Sequence, residues 1–358
     1  MKRIVSHAWR ALPGTLLAAT LSGGAGVAHA QSSVQMYGIV DAFVGSVQAP
    51  GATRAWQQGS GGLSTSFWGF GGTEDLGGGY KTLFAIEGFF RVQNGKYGSF
   101  DGDPMFSRNA YVGLQSRYGT VTLGRQSSLL YLAACQFNPF YASFTFSPTI
   151  VQMYAGLSTY PSYRTDQGLV GGTAWSNAVQ YASPTVYGMT GKLLYSFADA
   201  AGDNGKKKWS AQLAYQHGPL ALSGVVQYAS FSSSAQDLAA LLSGFKSQSA
   251  AQLGVTYDAR LVKLYGEYLY TSNDRTLNSF HVNTAQAGLS IPVGTSRILA
   301  SWAWSRDGGG LDQTRQTWTV SYDYPLSKRT DVYAAYMNDH IDKLSTGNTF
   351  GAGIRARF

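Results

Sequence analysis

The sequence predicts an all-β fold, a 16-stranded antiparallel transmembrane β-barrel, and three observations support that prediction. First, the last ten residues, 349–358, alternate between an apolar parity and a polar, cationic one, as expected of a strand with one face in lipid and one in water. Second, only 13% of residues are charged, against roughly 25% in soluble proteins, yet no stretch after residue 30 has the roughly 18 consecutive apolar residues of a membrane helix. Third, short and long connections alternate along the chain, which is typical of outer-membrane barrels.

Residues 1–30 have the features of a cleaved signal peptide. They combine a cationic start, a mostly apolar stretch over 11–21 and an A-x-A cleavage site at 28–30. Cleavage there makes Gln31 the first residue of the exported chain. The barrel domain is therefore predicted to cover 31–358.

The charge balance and the cysteine count narrow the function classes. Without the signal peptide the chain keeps 24 basic and 19 acidic residues, a balance of +5. Three basic residues stand in a row only at 206–208, and so short a cluster is more often a solvated loop than a nucleic-acid site. An anion-preferring interior is the better interpretation, with no nucleic-acid partner. Cys135 is the single cysteine, so no intrachain disulfide is expected.

Five strands are predicted before the longest connection, and they cover 34–47, 63–72, 80–92, 105–116 and 119–125. A Gly- and Gln-rich outer loop over 48–62 separates the first two, and a glycine-rich turn over 73–79 precedes the third. On the third strand Lys81, Glu87 and Arg91 share one parity. Because three charges lie on that face, it is predicted to be the wet one.

The longest connection, 126–175, is rich in Tyr, Phe and Ser, and a loop of that length inside a compact domain is usually functional. Eleven strands follow it and bring the total to sixteen. They are predicted near 176–184, 187–198, 207–217, 219–232, 248–258, 260–272, 281–291, 295–306, 314–323, 330–340 and 347–358. Tyr and Trp recur near the strand ends, as in the aromatic girdles of membrane barrels.

Six motifs occur in order along the chain. They are VQMYGIVDA at 34–42, GTEDLGGG at 72–79, SRNAYVGL at 107–114, GTVTLGRQ at 119–126, NAVQYASP at 177–184 and YPLSKRTDVY at 324–333. Together they resemble the general porins of Gram-negative outer membranes, in the form common in Burkholderia- and Bordetella-like bacteria. The resemblance implies a multi-pass homotrimer in outer-membrane lipid and lipopolysaccharide, with small solutes in transit and no cofactor or metal. It also implies that the third external loop, here 126–175, folds into the lumen as a constriction.

The resemblance and strand parity together select the candidate site. In the family, acidic residues of the loop face wall arginines across a narrow eyelet, and Arg108 matches one of those arginines. The predicted constriction and lumen residues are Arg108, Arg91, Glu87, Lys81, Tyr131, Phe140 and Tyr141. The chain departs from the family pattern in three ways. Phe67 replaces a wall arginine, Trp175 stands two residues before Asn177, where the family often has another arginine, and 126–165 contain no Asp or Glu.

Those departures predict a constriction that is lined by aromatic side chains and has only a weak electric field across it. Such a constriction would pass small neutral or anionic solutes. The alternative for the loop aromatics is that they pack the loop against the wall, as buried aromatics usually do. A substrate-specific channel with an aromatic-lined binding site is the second hypothesis for function.

Two residues are predicted to act outside the lumen. Arg125 shares the parity of Val121 and Leu123, so it is the candidate for a subunit interface. Phe358 is a lipid-facing aromatic, to which the resemblance adds a signal read by the barrel-assembly machinery.

An outer-membrane barrel enzyme is a remote alternative. The histidines after residue 30, His217, His281 and His340, show no metal-ligand spacing, and no G-x-S-x-G or H-E-x-x-H motif is present. No catalytic residue is therefore predicted.

Overall fold

The computed structural model describes residues 33–154, 171–197, 206–231, 244–309 and 312–358. The predicted signal peptide and residues 155–170 of the long connection lie outside these ranges. The described residues form seventeen strands and two helices. The strands are β1 Ser33–Val47, β2 Ala55–Ser60, β3 Phe67–Gly77, β4 Tyr80–Phe89, β5 Asn109–Ser116, β6 Gly119–Ser127, β7 Ala174–Ala182, β8 Met189–Ser196, β9 Lys208–His217, β10 Leu220–Ser230, β11 Phe245–Asp258, β12 Lys263–Arg275, β13 Phe280–Val293, β14 Ser296–Gly308, β15 Thr314–Pro325, β16 Thr330–Ile341 and β17 Gly347–Arg357. The helices are α1 Leu129–Gln136 and α2 Pro148–Tyr154.

The sheet closes on itself through its first and last strands. β1 pairs antiparallel with β17 from Ile39 opposite Arg357 to Ser46 opposite Phe350. The backbones of Gly38 and Phe358 then exchange two hydrogen bonds of 3.2 Å each. This pairing of the first strand with the last leaves no open seam between them, and the predicted closed antiparallel barrel is confirmed.

The seventeen strands occupy sixteen positions around the barrel, because β2 and β3 share one. β2 pairs with residues 42–47 of β1, and β3 pairs with residues 33–39 of the same strand. The break at 61–66 forms around the carboxylate of Asp41, which accepts hydrogen bonds from the backbone N–H groups of Gly62, Leu63 and Ser64 at 3.0, 3.0 and 2.8 Å. Those N–H groups therefore point at a side chain instead of a neighbouring strand.

The predicted boundaries were wrong at this position. Residues 48–62 were expected to be a loop and 63–72 a strand, whereas a strand begins at Ala55 and the irregular stretch is 61–66. The glycines and small polar residues of this region gave no clear strand pattern. Asp41, which binds the backbone of the irregular stretch, lies some twenty residues upstream.

Side chains alternate along the strands as a membrane barrel requires. In β11, Leu253 and Val255 are exposed while Gln252 and Thr256 are buried. The exposed parity forms an apolar outer band and the other parity faces inward. Neither helix in the described ranges is long and apolar enough to cross a membrane.

Candidate functional site

The helical segment, residues 129–154, lies against inward-facing side chains of the barrel wall. The Oγ of Ser128 caps α1 by accepting a hydrogen bond from the N–H of Tyr131 at 3.2 Å. The apolar side chains of α1 then pack on Leu194, Val225 and Leu269, all of the buried parity. This helix was predicted only as part of a loop, since seven consecutive apolar residues, 129–135, carry little amphipathic signal.

Further along, the helical segment contacts the opposite wall. The Oγ of Ser143 donates to the carbonyl of Gly62 at 2.5 Å, and the ring of Phe146 lies 5.8 Å from that of Phe43. In α2, the Nε2 of Gln152 donates to the carbonyl of Ala303 at 3.1 Å and to the Oγ1 of Thr317 at 2.9 Å. The segment is thus held by strands on several sides of the barrel.

Three aromatic residues of the helical segment were predicted to line the constriction, and they lie in two different environments. Tyr131 is buried in α1, 5.2 Å from the ring of Tyr154. Phe140 is buried among Phe43, Phe146 and their neighbours. Tyr141, in contrast, is 51% exposed, so of these three it is the side chain presented to solvent.

The backbone of the exposed Tyr141 adopts a left-handed conformation with a φ of 47°, which is uncommon for a non-glycine residue. Asn138 supports that turn, since its Nδ2 donates to the carbonyl of Tyr141 at 3.1 Å and its Oδ1 accepts from the N–H of Phe140 at 2.9 Å. The turn directs adjacent aromatic side chains to opposite environments.

Glu87 organises a first group of polar wall residues, which we call the glutamate cluster: Tyr37, Phe67, Glu87, Arg108 and Asn109. The Glu87 carboxylate accepts hydrogen bonds from the hydroxyl of Tyr37 at 2.6 Å, from the amide of Asn109 at 2.5 Å and from the guanidinium of Arg108. The guanidinium carbon of Arg108 also lies 4.1 Å from the ring centroid of Phe67, a cation–π distance. The structure therefore brings together two predicted site residues, Glu87 and Arg108.

The other two predicted lumen cations lie elsewhere. Lys81 shares the parity of Glu87 but is six positions away, roughly 20 Å along a strand at 3.3–3.4 Å per residue. Arg91 follows the end of β4 and donates to the carboxylate of Asp101 at 2.7 Å, within the connection 90–108. Neither belongs to the glutamate cluster.

A second charged group was missed by the sequence reasoning. We call it the carboxy-terminal cluster: Arg297, Asp323, Asp331, Arg355 and Arg357. Asp323 accepts from Arg297 at 2.6 Å and from Arg355 at 3.2 Å. Asp331 accepts from Arg355 at 3.0 Å and from Arg357 at 2.5 Å. The available signal was the shared inward parity of these residues on β14 to β17, which a pattern scan of single strands does not combine.

Arg125 and Phe358 were predicted to lie outside the lumen. The Nε of Arg125 donates to the carbonyl of Ser107 at 2.7 Å and its Nη1 to the Oγ of Ser176 at 2.8 Å, so within this chain it ties the β5 entry to β7. The Phe358 ring packs over Gly38, where an added Cβ would lie 2.7 Å from the ring. Their roles at a subunit interface and in assembly stay predictions.

Comparison with known proteins places the chain beside outer-membrane channels. The family described as Gram-negative porin matches residues 14–344. An outer membrane porin protein of Bordetella pertussis is 28% identical, over 96% of this chain and 99% of its own length. Outer membrane porin protein 32 of Delftia acidovorans is 29% identical, over 89% of this chain and 87% of its own length.

Solved structures agree on the fold. The anion-selective porin from Comamonas acidovorans superposes with a TM-score of 0.74 at 24% identity, over 92% of this chain and 100% of that one. The trimer form of OmpT from Vibrio cholerae superposes with a TM-score of 0.64 at 14% identity, over 91% and 99% of the two chains. Both likenesses cover the barrel described above.

Proposed function

The chain belongs to the Gram-negative porin family, and we propose that it is a passive diffusion channel with a preference for anions, constricted by the helical segment. As a porin it is a multi-pass protein of a Gram-negative outer membrane. Its proposed solutes are small, hydrophilic and neutral or anionic.

The observation that carries the anion preference is the unequal burial of two wall ion pairs, in which the carboxylate is buried and the guanidinium is exposed. The side chain of Arg297 is 49% exposed and that of its partner Asp323 only 2%. For Arg357 and Asp331 the values are 36% and 6%. A solute near this wall therefore meets guanidinium groups, whose field attracts anions more than the shielded carboxylates attract cations.

The constriction is proposed from the contacts of the helical segment with inward-facing wall residues. α1 lies against β9, β10 and β11 and α2 against β14 and β15, so the segment occupies cross-section that water would otherwise fill. The proposed aperture lies between Tyr141 and the glutamate cluster, since Tyr141 is the half-exposed aromatic of the segment and Arg108 is a partly exposed wall cation.

The remaining proposals concern partners and the alternative function. A homotrimer is supported by the trimer form of OmpT from Vibrio cholerae and by the exposed apolar outer band. Outer-membrane lipid, lipopolysaccharide and the barrel-assembly machinery stay proposed partners. A saturable aromatic binding site is less favoured than passive diffusion, because Tyr131 and Phe140 are packed away from solvent.

Reversal potentials in a planar bilayer with a salt gradient test the anion preference. We expect the wild-type channel to favour the anion, and the double variant Arg297→Ser, Arg357→Ser to shift toward cations because it removes the two exposed guanidinium groups. Arg117→Ser is a matched control of the same residue type in the exposed turn after β5, and it should leave the potential unchanged. Strong cation selectivity of the wild type at neutral pH would contradict the proposal.

A further inference from the structure

Two glycines on the inner wall lie directly under the turn that follows α1. A Cβ added to Gly254 on β11 would meet the Phe137 ring at 2.5 Å from Cγ and 2.6 Å from Cδ2. A Cβ added to Gly288 on β13 would lie 2.7 Å from the Cδ of Pro139. These distances are shorter than the normal separation of non-bonded carbons, about 3.5–4.0 Å.

Backbone conformation does not explain why these two positions are glycine. Neither is among the residues with a positive φ, and both lie in regular antiparallel ladders. Glycine inside a strand weakens it and often marks the close approach of another group. The lack of a side chain at Gly254 and Gly288, and not their backbone freedom, therefore explains these glycines: it leaves space for the turn.

The rest of the turn matches this close approach. Phe137 and Asn138 are buried, and Asn138 ties the turn back to α1 by donating from Nδ2 to the carbonyl of Ala134. Since α1 is also packed on Leu194 and Val225, the turn has little freedom to move sideways. The distance of the turn from the wall is then set by the wall residues that Phe137 and Pro139 contact, Gly254 and Gly288.

We propose that Gly254 and Gly288 are positioning residues for transport: they seat Phe137 and Pro139 against the wall and thereby set how far the helical segment projects into the channel. The inference rests on the proposed function, in that the segment must form the constriction. Tyr141 lies two positions after Pro139, so a displacement of the turn is passed to the side chain proposed to face the aperture. A side chain at either glycine pushes the turn toward the barrel axis and narrows the path for solutes.

Single-channel conductance of matched glycine variants tests this proposal. Gly254→Ala and Gly288→Ala should each lower the conductance. Gly224→Ala is the control, because Gly224 lies on the adjacent strand β10, where an added Cβ meets its nearest atom, Cδ2 of Leu253, at an ordinary 3.6 Å. It should leave the conductance unchanged. The circular dichroism spectrum and the thermal unfolding of each variant show whether the barrel has folded.

A double-mutant cycle distinguishes a direct contact between Gly254 and Phe137 from a general weakening of the wall by the substitution. In a Phe137→Ala background the ring is gone, so Gly254→Ala should have no further effect on conductance, whereas independent sites would give additive effects. Unchanged or raised conductance in Gly254→Ala, or an equal loss in both backgrounds, would overturn the inference. A wild-type protein that forms no channel would instead overturn the proposed function.

Discussion

The glutamate cluster and the carboxy-terminal cluster are both built from ion pairs on the inner wall, but they differ in charge and in exposure. In the glutamate cluster one carboxylate serves one guanidinium, and Arg108 is further covered by the ring of Phe67. In the carboxy-terminal cluster two carboxylates serve three guanidinium groups. The first is neutral as a group and the second carries one positive charge.

This difference indicates that the two clusters have different roles, one in the shape of the wall and one in the electric field of the channel. A neutral pair beside an aromatic ring fixes the shape of the wall, since a paired arginine has little residual field. An excess guanidinium with an exposed face leaves a field in the water-filled space, where exposed pairs contribute only about 0–1 kcal/mol to stability but act on every passing ion. Selectivity is therefore expected to depend more on the carboxy-terminal cluster.

The largest expected effect is on stability, and it is predicted for Asp331→Ala. Asp331 is buried, and its loss removes the shorter, 2.7 Å ion pair of the buried guanidinium of Arg355, which keeps only the 3.2 Å pair with Asp323 and a hydrogen bond to the Oγ of Ser64. Removing one member of a buried pair typically costs about 3–5 kcal/mol. Thermal or denaturant unfolding of the purified barrel measures the loss. Glu87→Ala should cost less, because Arg108 is partly exposed and keeps its contact with Phe67.

The matched control is Asp258→Ala. Asp258 lies at the exposed end of β11, where it accepts a hydrogen bond from the N–H of Arg260 in the turn that follows. Exposed sites of this kind usually change stability by at most about 0.5 kcal/mol. A loss for Glu87→Ala equal to that for Asp331→Ala would remove the energetic distinction between the two clusters.

A smaller effect, on ion selectivity, is expected at Arg108. Arg108→Ser should move the reversal potential toward cations, but less than the double variant Arg297→Ser, Arg357→Ser, since Arg108 is the less exposed cation. Bilayer recordings in one salt gradient give all three values. A larger shift for Arg108→Ser would reverse the comparison, and no shift would remove Arg108 from the constriction.

The barrel itself was predictable from the sequence because its rule is local. Alternation along single strands, as in β17, identifies which face meets lipid, and glycine-rich or polar turns separate the strands. The short strand β2 was not predictable in the same way. The break after it depends on Asp41, a residue of another strand, and no pattern within 48–72 contains that information.

Strand parity identified Glu87 and the family motif identified Arg108, and the two side chains are in contact. Parity alone does not place Arg108, because it precedes β5 and alternates with Asn109, the residue opposite Glu87. The exposure of the loop aromatics was not predictable, because Phe140 and Tyr141 are adjacent, yet Phe140 is buried and Tyr141 is exposed in a left-handed turn. To predict the carboxy-terminal cluster, one must know the register of four neighbouring strands, and the alternation within single strands does not give that register.

The smallest effect concerns a third pair, in which the exposure is reversed: Asp101 is 72% exposed and Arg91 only 16%. This pair lies in the connection 90–108, outside the barrel strands. The hydrogen bond from Arg91, followed by that from Lys96, lowers the pKa of Asp101 below its ordinary value. A carboxyl whose pKa is lowered on folding stabilises the fold above its unfolded pKa, about 3.9, and that contribution is lost as the pH falls through the lower folded value.

Acidification below about pH 4 should therefore loosen the connection 90–108 while the barrel strands stay protected. Hydrogen–deuterium exchange of peptides from 90–108 measures this, and comparing wild type with Asp101→Asn at each pH removes the intrinsic pH dependence of exchange. The wild type should exchange more slowly than the variant at neutral pH and at the same rate once Asp101 is protonated. Equal exchange of wild type and variant at neutral pH would mean that the exposed Asp101 does not stabilise the connection. Stabilisation by ion pairs would then be confined to the wall pairs, whose carboxylates are buried.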